Sequence, residues 1–279
     1  MDSLRIGNFQ VFLYNLFMKF TLLTYNVLFN KAFPRLPSIL EQYQPDIVCL
    51  QEVDTSEENL NKLEKYGYRL ADYANCFIEF GKIWGVATYF KPDKFNFLNS
   101  KPILLSNGFY ELLRMIIRMF KNKGLRRTIL KTNLDIKLTK KTVTVYNLHL
   151  SAISLNSLRI KQLKKIDLDE LDKDGSVILT GDFNFPIERK KLEDIMNKYR
   201  LKEATHNLFY TMRFPVTAFN QFGFIYRLLY FLFSKVVRKI WVNEVKLDYI
   251  FYRGLKNIST QRLDYNDSDH FPILSKFEL

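Results

Sequence analysis

The chain has 279 residues, of which 47% are hydrophobic and 15% aromatic, enough for a substantial core and incompatible with a disordered tail or a disulfide-stapled miniprotein. Two cysteines give no disulfide framework, and Cys49, inside the apolar run Ile47-Val48-Cys49-Leu50, reads as a buried thiol of a reducing, cytoplasmic compartment. The formal charge of +13 favours polyanionic partners, either nucleic acid or an anionic membrane leaflet, although a lysine-rich solvated surface would carry the same number.

Residues 1–20 are apolar in places, but Asp2 and Arg5 precede a run broken by Asn8, Gln10 and Asn15. The run is too interrupted to span a bilayer and lacks a small-residue cleavage site, which leaves an N-terminal strand or a membrane-touching segment. Short apolar runs rich in strand-forming residues then alternate with helical patterns. Strands are predicted at 20–25, 46–51, 85–90, 129–136, 142–149, 176–180, 247–252 and 273–277. Helices are predicted at 37–43, 56–66, 156–171 and 188–198, the second opened by Ser56 ahead of Glu57 and Glu58. Residues 128–137 and 142–149, joined by the polar stretch 138–141, read as a hairpin. This alternation predicts an α/β fold with at least one helix-covered sheet. No repeat, low-complexity tract or Gly/Ser linker divides residues 1–279, so one domain is expected.

Polar motifs recur where the apolar runs end. They are Thr24-Tyr25-Asn26-Val27, Gln51-Glu52-Val53, Asn147-Leu148-His149-Leu150 and Gly181-Asp182-Phe183-Asn184, then Leu247-Asp248-Tyr249 with Ser268-Asp269-His270-Phe271-Pro272. A polar side chain at a strand end is held by rigid scaffold yet open to solvent, as a preorganised site requires. Singly, each motif is as well explained by a turn. The histidines argue otherwise: of three in the chain, His149 and His270 occupy these strand ends, and only His206 stands outside a motif.

In this order, the motifs resemble the endonuclease/exonuclease/phosphatase superfamily, and the match runs from Asn26 to Pro272. The resemblance implies a four-layer α/β sandwich, two packed mixed sheets flanked by helices, with the site at one end. It also implies a Mg²⁺-dependent phosphodiester hydrolase, with Mn²⁺ as an alternative ion. Phosphate chemistry assigns roles in the same sense. Glu52 is the primary carboxylate ligand for a hard cation, assisted by Asn26 and Asp269. His270 is the candidate general base, with Asp248 holding its other ring nitrogen. Asp182 would orient or deprotonate the attacking water, and the division between His270 and Asp182 stays open. Asn184 and His149 would donate hydrogen bonds to phosphoryl oxygens.

The substrate is less determined. The Asn-Leu-His-Leu motif resembles the deoxyribonuclease, neutral sphingomyelinase and deadenylase-like branches more than the abasic-site endonucleases. The Trp-x-Gly-Asp-x-Asn form of inositol phosphatases is absent, its place taken by Leu179-Thr180-Gly181-Asp182-Phe183-Asn184. Two amphipathic insertions, near 109–123 and 215–242, combine apolar faces with basic edges (Arg114, Arg118 and Lys121; Arg227, Lys235, Arg238 and Lys239). Such segments suit peripheral contact with an anionic membrane, or they pack on the sandwich. They tilt the expectation slightly towards a lipid head group over DNA or RNA. A catalytically idle membrane- or nucleic-acid-binding module is the third reading.

Overall fold

In the computed structural model, residues 18–79, 81–106, 127–152, 154–166, 175–213 and 244–279 are described. The chain enters strand β1 (Lys19–Asn26), passes a 3-10 turn (Phe33–Arg35) into helix α1 (Leu36–Tyr43), and returns as β2 (Ile47–Asp54). A short helix α2 (Glu57–Leu60) runs into a 3-10 turn (Asn61–Tyr66) before β3 (Arg69–Glu79), β4 (Lys82–Phe90) and β5 (Phe95–Leu104). Strands β6 (Thr128–Ile136) and β7 (Thr142–His149) form the expected hairpin. Helix α3 (Asn156–Leu163), β8 (Ser176–Asp182), helix α4 (Arg189–Lys198) and the two-residue strands β9 (Lys202–Glu203), β10 (Met212–Arg213) and β11 (Glu244–Val245) follow. The chain closes through β12 (Asp248–Arg253), β13 (Lys256–Arg262) and β14 (Ile273–Glu278).

Two six-stranded mixed sheets result, ordered β13-β14-β1-β2-β4-β3 and β5-β6-β7-β8-β12-β9. Each has one parallel pair at its centre, β1 with β2 and β7 with β8. Phe20, Leu22, Ile47 and Cys49 of the first sheet pack against Val143, Val145, Ile178 and Ile250 of the second. The outer face of the first sheet carries Leu23, Tyr25, Val48 and Leu50 under Leu36, Ile39 and Leu40 of α1. That of the second carries Tyr146, Leu148, Val177 and Leu179 under Leu163, Leu192 and Met196 of α3 and α4. Helices, sheet, sheet and helices therefore make the expected four layers. Both cysteines are free and buried.

Every predicted strand forms, with small shifts at its ends. The helix expected over 56–66 is instead a short α-helix continued as a 3-10 turn, and that expected over 156–171 ends its α-helical part at Leu163. The amphipathic insertions near 109–123 and 215–242 lie outside the described residues, as do residues 1–17. Among the described residues no helix is long and apolar enough to cross a membrane.

Strand parity explains where the polar motifs go. Side chains alternate faces along a strand, so Phe20 and Leu22 on the inter-sheet face are followed there by Thr24 and Asn26. On β7 the same face runs Val143, Val145, Asn147, His149; on β8 Ile178, Thr180, Asp182; on β12 Asp248, Ile250. Apolar residues fill the middle of the gap and the motif residues occupy one open end of it. Just beneath that end a buried polar layer bridges the sheets: Gln51 Nε2 donates to Asn147 Oδ1 at 2.8 Å, and Asn147 Nδ2 donates to Ala87 O at 2.9 Å.

Glu52 reaches the same place by breaking parity. Gln51 pairs with Val86 and Val53 with Gly85, so Glu52 is the extra residue of a β-bulge, at φ +55°. Without the bulge Glu52 would share the helix-covered face with Val48 and Leu50; with it, Val53 resumes that face. A left-handed non-glycine residue costs about 1–2 kcal/mol, and bulges of this kind re-aim side chains near active sites.

Candidate active site

Asn26, Glu52, His149, Asp182, Asn184, Asp248, Asp269 and His270 are brought together at this end of the sandwich, contributed by both sheets and the loops that leave them. Asp182 is the hub. Its Oδ2 accepts from Asn26 Nδ2 at 3.2 Å and lies 3.5 Å from His149 Nε2 and 3.8 Å from His270 Nε2. Its Oδ1 accepts the backbone N–H of Asn184 at 2.9 Å, and Asn184 holds a left-handed φ of +49° to make that bond. One Asn184 side-chain hydrogen goes to Leu150 O at 3.1 Å, which fixes the amide and leaves its second hydrogen for another acceptor.

His270 is clasped between carboxylates. Its Nδ1 lies 2.8 Å from Asp248 Oδ2, which also accepts Thr211 Oγ1 at 2.7 Å. Thr211 in turn accepts the backbone N–H groups of Leu247 at 3.0 Å and Asp248 at 2.9 Å, and its carbonyl receives Phe271 N at 2.8 Å. Ser268 ties this segment to β1 by donating to Asn26 O at 2.8 Å, while accepting His270 N at 3.1 Å.

The charges are strongly displaced. Burial acts to lower the His270 pKa, but Asp248, Asp182 and Asp269 outweigh it, and the imidazole is held well above its usual value, as an imidazolium. His149 is pushed the other way, by burial and by the nearby Arg127 and His270, and is neutral. Glu52 is raised to about 7 by burial, with Asp269 and Asp182 adding to the effect and His270 and Arg127 opposing it. Asp182 is raised by burial and by Asp248 against the pull of His270, and Asp269 is raised by burial. Several carboxylates crowded into one dry site in this way want a cation.

Hard oxygen donors fit one. Glu52 Oε2 is buried without a hydrogen-bond partner, while Glu52 Oε1 faces His149 Nε2 at 3.7 Å. Asp182, Asp248 and His270 also present ligand atoms within 4.8 Å of one another. A hard cation prefers oxygen to imidazole nitrogen, and His270 Nδ1 is engaged by Asp248, so the acid and amide side chains Glu52, Asn26 and Asp269 suit the ion better.

Several neighbours carry no motif of their own. Thr211 is fully buried beneath Asp248, Arg127 acts electrostatically on both Glu52 and His149, and Lys31 lies near enough to Asp269 to be affected by it. No sequence signal marked any of these three, whereas Ser268 stood within the motif of Asp269 and His270.

A carboxylate hub flanked by two histidines, at the open end of paired sheets, has the groups that hydrolysis at phosphorus needs. Residues 23–270 match the Endonuclease/Exonuclease/phosphatase family, and the chain belongs to it, a family of hydrolases acting on phosphodiester bonds. A curated relative, the CCR4-Not complex 3'-5'-exoribonuclease subunit Ccr4 of Candida albicans, is 25% identical over 85% of this chain. The chain spans only 36% of that relative's length. Among solved structures, ANGEL2, a 2',3'-cyclic phosphatase in complex with adenosine-2',3'-vanadate, superposes with a TM-score of 0.67 at 18% identity, over 94% of this chain and 96% of that one. The human Nocturnin catalytic domain with a bound sulfate anion gives 0.66 at 19% identity, over 94% and 96%. These structures share the fold of this chain.

Proposed function

We propose that the chain is a Mg²⁺-dependent phosphodiesterase that cleaves single-stranded nucleic acid, RNA in the first instance. The carrying observation is the Asp182 carboxylate, buried and set within 3.2–3.8 Å of Asn26, His149 and His270. Glu52, Asn26 and Asp269 would hold the ion, Mg²⁺ ahead of Mn²⁺, because hard oxygen donors match it. When bound, the ion would neutralise charge on the phosphate and act as a Lewis acid.

The protein's own groups divide the remaining work. His270, kept protonated by its carboxylate neighbours, donates from Nε2 to a phosphoryl oxygen as negative charge builds. Asp182, its proton affinity raised, takes the proton of the attacking water. That assigns the base role to Asp182 and makes His270 an electrostatic donor positioned by Asp248 and Thr211. Neutral His149 and the free amide hydrogen of Asn184 supply further donors.

RNA is favoured over lipid on two grounds. The curated relative is by name an exoribonuclease subunit, and one of the similar structures holds adenosine-2',3'-vanadate, a nucleotide analogue. The lean towards a lipid head group rested on segments near 109–123 and 215–242, which lie outside the described residues. The test is a turnover panel of single-stranded RNA, single-stranded DNA, sphingomyelin vesicles and a phosphoinositide, with and without Mg²⁺, against the Glu52→Ala variant. Metal-dependent, Glu52-dependent cleavage of RNA is expected. Turnover of sphingomyelin with both nucleic acids untouched would overturn the reading.

A further inference from the structure

Helix α3 turns a buried polar stripe inward. Asn156, Arg159 and Gln162 recur at the three-residue spacing that places side chains on one helix face, and all three are buried, Gln162 completely. Packing alone would call for apolar residues there. These three instead hold the two loops that leave β7 and β8.

Gln162 commits its whole amide. Its Oε1 accepts Ser151 N at 3.2 Å, and Nε2 donates to Ser151 Oγ and to Ser106 O, both at 2.7 Å. Arg159 grips the carbonyls that follow. Its Nε donates to Ser151 O at 2.9 Å, Nη2 to Ala152 O at 2.6 Å and Nη1 to Asn156 Oδ1 at 2.7 Å. Asn156 Nδ2 then reaches the loop beyond Asn184, donating to Ile187 O at 2.9 Å and Glu188 Oε2 at 3.1 Å.

The peptide between Leu150 and Ser151 joins this clamp to the catalytic cleft. A trans peptide is planar, with its N–H and C=O pointing in opposite directions. Gln162 holds the N–H side; on the other side Leu150 O accepts Asn184 Nδ2 at 3.1 Å. That bond orients the Asn184 amide, whose backbone N–H is already given to Asp182 Oδ1 at 2.9 Å. Rotation of this one peptide would carry Leu150 O away and release the amide.

We propose that Gln162, braced by Arg159, is a positioning residue: through the Leu150–Ser151 peptide it sets the direction in which Asn184 offers its second amide hydrogen to a phosphoryl oxygen. This rests on the donor role given to Asn184 above. A donor aimed at charge that builds during the reaction acts on kcat more than on KM, so a residue that aims it should do the same.

The test is a double-mutant cycle between Gln162→Met and Asn184→Ala, since only groups acting through one another give non-additive losses. Methionine keeps the volume of glutamine but can neither accept from Ser151 N nor donate to Ser106 O. Rates are measured with Mg²⁺ on single-stranded RNA and on the small diester bis(p-nitrophenyl) phosphate. Gln162→Met should lower kcat about tenfold with KM near wild type, as expected for a displaced catalytic donor. In the Asn184→Ala background it should cost little more. A Gln162→Met loss that recurs in full in that background would overturn the proposal, leaving Gln162 a support of the loop alone; so would an unchanged kcat. Should Gln162→Met fail to fold, Arg159→Lys, which keeps the charge but not the fork, enters the same cycle with the same two outcomes. Turnover of the small diester with RNA untouched removes the RNA reading, and the cycle on the diester still decides. Turnover of neither substrate by wild type removes the proposed function and the positioning with it.

Discussion

At the residue scale the candidate site sets two histidines 3.5 and 3.8 Å from one carboxylate, their pKa values displaced in opposite directions. Glu52→Ala, Asp182→Ala and His270→Ala are each expected to lower kcat by about 10²–10⁴ on the preferred nucleic acid. Circular dichroism should show the fold unchanged. The pH profile separates the two base assignments. Asp248 raises the His270 pKa, so Asp248→Asn lowers it. If His270 acts as an imidazolium donor, activity falls as pH rises through its pKa, and Asp248→Asn moves that alkaline limb to lower pH. If His270 were the base, activity would rise through the same pKa, and the variant would move that rise downward instead. A kcat profile of the two proteins between pH 5 and 10 distinguishes these outcomes. The residues that gather at the candidate site were legible because each ends an apolar run in a recognisable motif. Thr211, Arg127 and Lys31 were not, because their contribution comes from tertiary placement: Thr211 matters only once its hydroxyl meets Asp248, 37 residues away.

At the element scale, two backbone devices aim the side chains. The bulge at Glu52 is one. The other is the close parallel pairing of β7 with β8, where Gly181 sits at φ +129° and an added Cβ would fall 2.1 Å from Leu148 O. Gly181→Ala should therefore destabilise the fold by about 3 kcal/mol or more, since neither strand can retreat without displacing His149 or Asp182. Urea denaturation measures this; a change below 1 kcal/mol would show that the pairing tolerates a wider spacing. The strands that sequence reading missed, β3, β5, β13 and the two-residue β9, β10 and β11, are all sheet edges. Edge strands face solvent, carry polar residues on both faces and lack the apolar run that marks a central strand. The Lys256–Arg262 strand, with its burial alternating only between half-buried and exposed, is the clearest case. Central strands were legible for the converse reason.

At the scale of the whole molecule, an acid-rich cleft is carried on a chain of net charge +13, so the basic residues must lie mostly elsewhere. Binding of single-stranded RNA should weaken steeply with salt. If about four phosphates are neutralised, log K falls with a slope near 3, and affinity drops roughly 50-fold between about 50 and 200 mM salt. Fluorescence anisotropy with the Glu52→Ala variant reads this without turnover; a flat response would leave the net charge unconnected with substrate.

The gap between the sheets has a consequence beyond stability. Asn26 and Glu52 belong to one sheet, His149, Asp182 and Asp248 to the other, and the apolar layer containing Cys49 and Ile178 sets how far apart those two halves stand. The core therefore works as a caliper, its thickness fixing the aperture in which a phosphate is gripped. Removing one methylene with Ile178→Val should cost only about 0.5–1.5 kcal/mol of stability. Catalytic geometry is far less forgiving, since a displacement of about 1 Å can cost roughly 10² in rate. Turnover should then fall well before the melting temperature does, making rate the finer gauge of how the interior is packed.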